Sequence, residues 1–207
     1  MSRVALEKGA MALKCYNPRD ETQDKYRRVD DRPYGGGPGM VMMAEPLAKS
    51  IDRAKETNDG EVIYLSPQGR RLDHELVVNL AASDGFILLC GRYEGVDQRV
   101  IESRVDREIS VGDYVVAGGE IPAMILIDAV SRLLPEVLGN VDSALADSFS
   151  SGILDCPHYT RPEVFENMAV PEVLLSGNHK KISAWREQQA AQMTKLKRPD
   201  LLEKDCK

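Results

Sequence analysis

Three short apolar runs, each followed by a glycine-bearing loop and flanked by segments of helical period, restrict this chain to few folds. Glu61-Val62-Ile63-Tyr64-Leu65, Gly85-Phe86-Ile87-Leu88-Leu89-Cys90 and Ser110 to Val116 read as strands. The first two are continuously apolar rather than alternating, which marks a strand covered on both faces. Leu47, Ile51 and Ala54 set a helix over 44–55, and Leu76, Val77 and Leu80 set another over 72–82. Further helices are expected over 98–104 and 121–138. This alternation predicts an open α/β fold with a mainly parallel sheet.

In such a sheet the loops after the carboxyl ends of the strands share one edge, and ligands bind there. The loops Ser66 to Gly69, Gly91 to Gly95 and Gly118 to Gly119 should therefore converge. Glycine at 112, 118 and 119 lets the backbone bend through positive φ and approach a small molecule. One glycine pair fits a tight turn equally well. Three such loops on one edge, with Arg92, Tyr93 and Glu94 among them, favour a ligand site.

The remaining segments are less specific. Ser2 to Lys8 reads as a helix end and Met11 to Tyr16 as a short strand. Arg32 to Met40 is a loop too rich in glycine and proline for regular structure. It lacks the Gly-Lys-Ser/Thr ending of a phosphate loop and the spacing of a dinucleotide fingerprint, so a structural loop and a functional one remain equally open. Residues 139–152 are small and polar, as in an interdomain linker. Residues 153–207 read as helical pieces punctuated by Pro157, Pro162 and Pro171.

Composition narrows the function. A 207-residue chain that is 43% hydrophobic can bury one good core and a smaller second one. No run reaches the roughly 18 apolar residues of a membrane span and no signal-peptide core follows the start, so a soluble cytoplasmic protein is expected. Cys15, Cys90, Cys156 and Cys206 form no C-x-x-C pair and cluster with no histidine, which predicts reduced thiols and no bound metal. A formal charge of −6 excludes a protein that coats nucleic acid by bulk electrostatics. Local basic patches are still allowed: Lys180, Lys181, Arg186, Lys195, Lys197 and Arg198 stand against Glu187 alone between 178 and 198. A solvated helix face explains such a run more readily than an RNA contact.

Six segments carry a resemblance across most of the chain: Val29 to Met40, Tyr64 to Gly69, Gly91 to Gly95, Gly112 to Val115, Gly118 to Glu120, and Leu154 to Pro162. In this order they resemble the bacterial tRNA (guanine-N1)-methyltransferase family, TrmD, of the SPOUT class. The resemblance implies a deep trefoil knot at the sheet edge, which composition and periodicity could not show because threaded chains are rare. It also implies a homodimer that uses S-adenosylmethionine to methylate N1 of guanosine 37 in tRNA. The expected domains are a donor-binding domain over 1–138, a linker over 139–152 and a helical tRNA-binding domain over 153–207.

Residue by residue, the resemblance implies a donor site built from Tyr64, Leu65, Ser66, Gly91, Glu94, Val111, Gly112, Asp113, Tyr114, Val115, Val116, Gly118, Gly119 and Pro122. It places the general base on Asp147 and the group that stabilises O6 on Arg132. Read without it, Asp147 is a turn residue and Arg132 an i,i+4 partner of Asp128. Methyl transfer from a sulfonium requires no metal, although the resemblance implies magnesium dependence. Ile109 stands where many members carry tryptophan. Family members also have a further apolar strand and helix start before the position of Met1, and more helix after Lys207, so both domains are expected to be shortened. Two alternatives share these residues: a SPOUT methyltransferase acting on another RNA, and a non-catalytic fragment that binds RNA or the donor.

Overall fold

The computed structural model describes residues 1–137 and 147–203. They belong to two compact units, Met1–Gly139 and Asn140–Lys207. Leu138, the linker as far as residue 146, and Cys206 lie outside the described residues.

In the first unit three strands form a parallel sheet: β3 (Glu61–Arg71) lies centrally, flanked by β4 (Phe86–Cys90) and β5 (Arg107–Ser110). Side chains alternate across β3. Ile63 and Leu65 face one layer, with Leu76, Val77 and Leu80 of α3 (His74–Ala81) and Ala123, Leu126 and Val130 of α5 (Glu120–Ser131). Val62 and Tyr64 face the other, with Leu47 and Ile51 of α2 (Ala44–Lys55) and Val100 of α4 (Gln98–Arg104). The α/β architecture with a parallel sheet covered on both faces therefore stands. Ile109 is fully buried in the first of these cores.

Several sequence expectations need correction. The third strand ends at Ser110, where the sequence placed its start. Ser110 Oγ accepts from Gly112 N at 3.2 Å, and Gly112 lies at φ +151°, so the chain leaves the sheet there despite the valines that follow. Ser66 to Gly69 is not a free loop but lies within β3, as a register shift between Leu65 and Arg70 against β5. A Cβ at Gly69 would run into the backbone of Glu108, so only glycine lets the two strands close up again. Helix α3 starts two residues late because Asp73 caps it, accepting from Leu76 N at 2.9 Å. Helix α5 stops at Ser131 and continues as turns to residue 137, as expected where Pro135 cannot donate to a preceding turn. Met11 to Tyr16 is not a strand and has no pairing partner among the described residues.

Ahead of the sheet, α1 (Ser2–Glu7) packs on α5, and Lys8 Nζ donates to Glu136 O at 2.6 Å. The glycine-proline loop joins β1 (Asp30–Asp31) to its antiparallel partner β2 (Val41–Met42). The second unit holds a hairpin, β6 (Val164–Phe165) with β7 (Met168–Ala169), where only helical pieces were expected. Glu166 and Asn167 between them both take positive φ, the geometry of a two-residue hairpin turn. Two helices follow, α6 (Glu172–Leu175) and α7 (His179–Lys197), the latter capped by Asn178, which accepts from Lys181 N at 3.1 Å.

Candidate functional site

The carboxyl ends of β3, β4 and β5 lie along one edge, and two of the loops beyond them are tied together. Gly119 N donates to Gly91 O at 2.8 Å, and Arg92 bridges to Gly118. A Cβ at Gly119 would sit 2.6 Å from Cys90 Cα, so the approach of the loops depends on glycine there. At Gly91 a Cβ would meet a side chain rather than backbone, the Tyr64 hydroxyl at 2.9 Å. Burial, and then the charge of Glu108, raise the Tyr64 phenol above its ordinary value.

The glycine-proline loop joins the same edge. Glu94 N donates to Met40 O at 2.9 Å, Met42 N to Gly95 O at 2.9 Å, and Asp97 N to Met42 O at 3.1 Å. Gly39 lies at φ +82° with the Glu94 carboxylate where its Cβ would be. The loop thus packs on Glu94 and supports this edge.

The predicted donor-site residues divide by environment. Tyr64, Leu65, Ser66, Gly91, Gly119 and Pro122 are buried, and the side chains of Tyr64 and Leu65 belong to the two cores. Val111, Gly112 and Gly118 are half-buried, whereas Glu94 and Asp113 are exposed. Tyr114, Val115 and Val116 are 55%, 84% and 37% exposed, which is why this valine run is not a core strand. Val115 and Val116 have no hydrogen-bond partner among the described residues, so their backbone amides are open to a ligand.

Two ion pairs frame the edge and were not foreseen. Arg71 Nη2 donates to Asp113 Oδ2 at 3.1 Å, and Arg92 Nε to Glu120 Oε1 at 2.8 Å. The Glu120 contact holds the Arg92 guanidinium above even its usual high value. Arg71 closes β3 and Arg92 follows β4 by two residues, but no local pattern points to their partners, 42 and 28 residues away.

The two residues assigned to catalysis fall in different units. Arg132 is the half-buried C-cap of α5, with its amide donating to Asp128 O at 3.2 Å. Asp147 opens a turn in the second unit, and its carbonyl accepts from Ser150 Oγ at 2.7 Å. Nearby, Asp155 Oδ2 meets His158 Nε2 at 2.8 Å. Burial raises the Asp155 carboxyl, but the contacts from His158 and the Cys156 amide outweigh it and leave the group below the ordinary range.

Asp155, Cys156 and His158 bring three metal-capable atoms within 4.8 Å of one another. A sulfur and a nitrogen donor do not suit magnesium, which takes oxygen ligands. At the glycine edge the carboxylates of Asp113 and Glu120 are already paired with arginine. Neither group is therefore a free set of oxygen ligands for magnesium. No helix among them is long and apolar enough to cross a membrane.

Comparison with known proteins gives a consistent result. A family model described as tRNA (Guanine-1)-methyltransferase TrmD matches residues 1–204. A tRNA (guanine-N(1)-)-methyltransferase of Psychromonas ingrahamii is 61% identical over 203 residues, covering 96% of this chain and 82% of that protein. A Vibrio vulnificus protein of the same name is 59% identical over 201 residues, covering 96% and 81%. One from Idiomarina loihiensis is 58% identical over 200 residues, covering 96% and 79%.

Proposed function

Because the chain belongs to the TrmD family and is a tRNA (guanine-N1)-methyltransferase, we propose that it methylates guanosine 37, with S-adenosylmethionine as donor, Asp147 as general base and Arg132 stabilising O6. The observation that carries this reading is the family match over residues 1–204, which includes both residues and every strand-end loop. The glycine edge fits the donor. Its joined loops leave no room for a Cβ at Gly119, and the amides of Val115 and Val116 in the segment after β5 make no hydrogen bond among the described residues. A SPOUT-type knot would account for a chain that leaves β5 at Ser110 and returns to β4 through Gly119.

S-adenosylmethionine, when bound, supplies a methyl group on a sulfonium whose C–S bond breaks as the C–N1 bond forms. Guanine N1 carries a proton and is a poor nucleophile. The Asp147 carboxylate takes that proton as the methyl arrives, a role worth roughly 10²- to 10⁴-fold in rate. Negative charge then collects on O6, where the Arg132 guanidinium donates hydrogen bonds aimed at it. Asp147 and Arg132 belong to separate units, so the proposed chemistry draws on both.

The reading includes a cytoplasmic homodimer. Helix α5 is apolar on two sides: Pro122, Ala123, Leu126 and Val130 are buried, while Ile121, Met124 and Ile125 are exposed at i, i+3 and i+4 spacing. This exposed apolar face of the helix suits a second copy of the chain. Asp147→Ala should lower single-turnover methyl transfer at least 100-fold while calorimetry shows donor binding unchanged. Arg132→Ala should lower it by a similar order. Transfer at the wild-type rate in either variant would remove that residue from the mechanism.

A further inference from the structure

The second unit contains a groove of about 470 Å³ that the methyl-transfer chemistry does not use. Val170, Leu174 and Ile182 form its apolar floor, and His158, Arg161 and Arg186 stand at its rim. Ile182 and Arg186 are one turn apart on α7, so a single helix face supplies part of the floor and one of the cations. Tyr159, half exposed, also lines the groove, and its ring lies 6.3 Å from that of Trp185 at 56°.

Two arginines face this groove. Many guanidinium groups elsewhere are matched to carboxylates, such as Arg53 to Glu21, Arg71 to Asp113, Arg92 to Glu120, Arg104 to Asp52 and Arg107 to Glu61. Neither Arg161 nor Arg186 forms an ion pair among the described residues, and both face the same cavity. Glu163 is the acidic residue lining it. His158 is held at the rim by Asp155 at 2.8 Å. Guanidinium pairs recognise phosphate, and an exposed tyrosine over an apolar floor accepts the face of an unstacked base. The volume lies within the range of small-molecule sites, roughly 300–1,000 Å³.

We propose that this groove holds one unpaired nucleotide of the tRNA, other than the guanosine that is methylated, with its phosphate between Arg161 and Arg186 and its base against Tyr159. The inference rests on the reading of the chain as a tRNA methyltransferase and adds a second point of contact to it. The groove selects and positions the RNA and takes no part in the proton or methyl transfer.

Steady-state methylation by the full chain, read as separate kcat and KM values for tRNA at several salt concentrations, tests the assignment. Arg161→Ala combined with Arg186→Ala should raise KM about tenfold or more with kcat within about twofold. It should also lower the slope of log KM against log salt by about one to two, as expected when two phosphate contacts are lost. Tyr159→Leu keeps the floor apolar and should raise KM without changing that slope. Trp185 is the chain's single tryptophan and lies beside Tyr159, so its fluorescence reports on the groove through that ring. Saturating tRNA should change it in the wild type and much less in the double variant. An unchanged KM and salt slope in a double variant with wild-type thermal unfolding would overturn the proposal. So would a fluorescence change produced by free guanosine monophosphate and not by tRNA. If the double variant does not fold, Arg161→Gln alone carries the same test. Wild-type protein that binds tRNA through the groove without methylating it would count against the proposed function instead.

Discussion

At Gly119 a single methyl group is enough to probe how closely the strand-end loops are packed. A Cβ there would lie 2.6 Å from Cys90 Cα and 3.0 Å from Gly91 N, and both are backbone atoms with no rotamer to yield. Gly119→Ala should therefore cost about 1–3 kcal/mol through overpacking, seen as a lower Tm and weaker donor binding; an unchanged Tm would show that the loops can part freely. Cys90, next to it, gives a chemical readout of the same packing. Burial, with the Glu120 charge, pushes its thiol up to about 11, so little nucleophilic thiolate forms near pH 8. Cys15 is exposed. Iodoacetamide at pH 8 should label Cys15 well before Cys90 by mass spectrometry, and equal rates would contradict the closed edge.

Among the elements, short helices depend most on their caps. Helix α3 has eight residues and begins on Asp73, so Asp73→Ala should destabilise the first unit by about 1 kcal/mol in chemical denaturation. Asp97 caps α4 by accepting from Arg99 N at 3.0 Å and also meets the Arg99 guanidinium at 2.7 Å. These contacts, chiefly the guanidinium, hold its carboxyl below the ordinary range. A depressed folded value stabilises the protein above the unfolded pKa of about 3.9 and is lost as pH falls through the folded value. The stability gap between wild type and Asp97→Ala should accordingly narrow between about pH 5 and about pH 2; a constant gap would mean that the charge contributes nothing. These elements also show what sequence could reveal. Helix α2 was legible to the residue because Leu47, Ile51 and Ala54 repeat at helical period and all three are buried. The run Tyr114-Val115-Val116 misled because β-propensity carries no record of exposure, and a serine hydroxyl and one glycine had already turned the chain out of the sheet. The β6–β7 hairpin was hidden because Glu166 and Asn167 adopt positive φ without glycine. The strand-end edge was legible from its glycines, whereas the Arg71–Asp113 and Arg92–Glu120 pairs depend on contacts that no local pattern encodes.

For the whole molecule, assembly and catalysis are separable. If the exposed face of α5 meets a second copy, Ile125→Glu should shift sedimentation toward the monomer and reduce methylation with it, whereas a wild-type dimer would exclude that face. The reaction itself is tested most directly by incubating the chain with labelled S-adenosylmethionine and two tRNAs differing only in guanosine or adenosine at position 37, then mapping the methyl group by mass spectrometry. Label on N1 of guanosine 37 alone, reduced at least 100-fold by Asp147→Ala with donor binding intact, is the predicted result. Equal labelling of the adenosine tRNA, or full activity in Asp147→Ala, would contradict it.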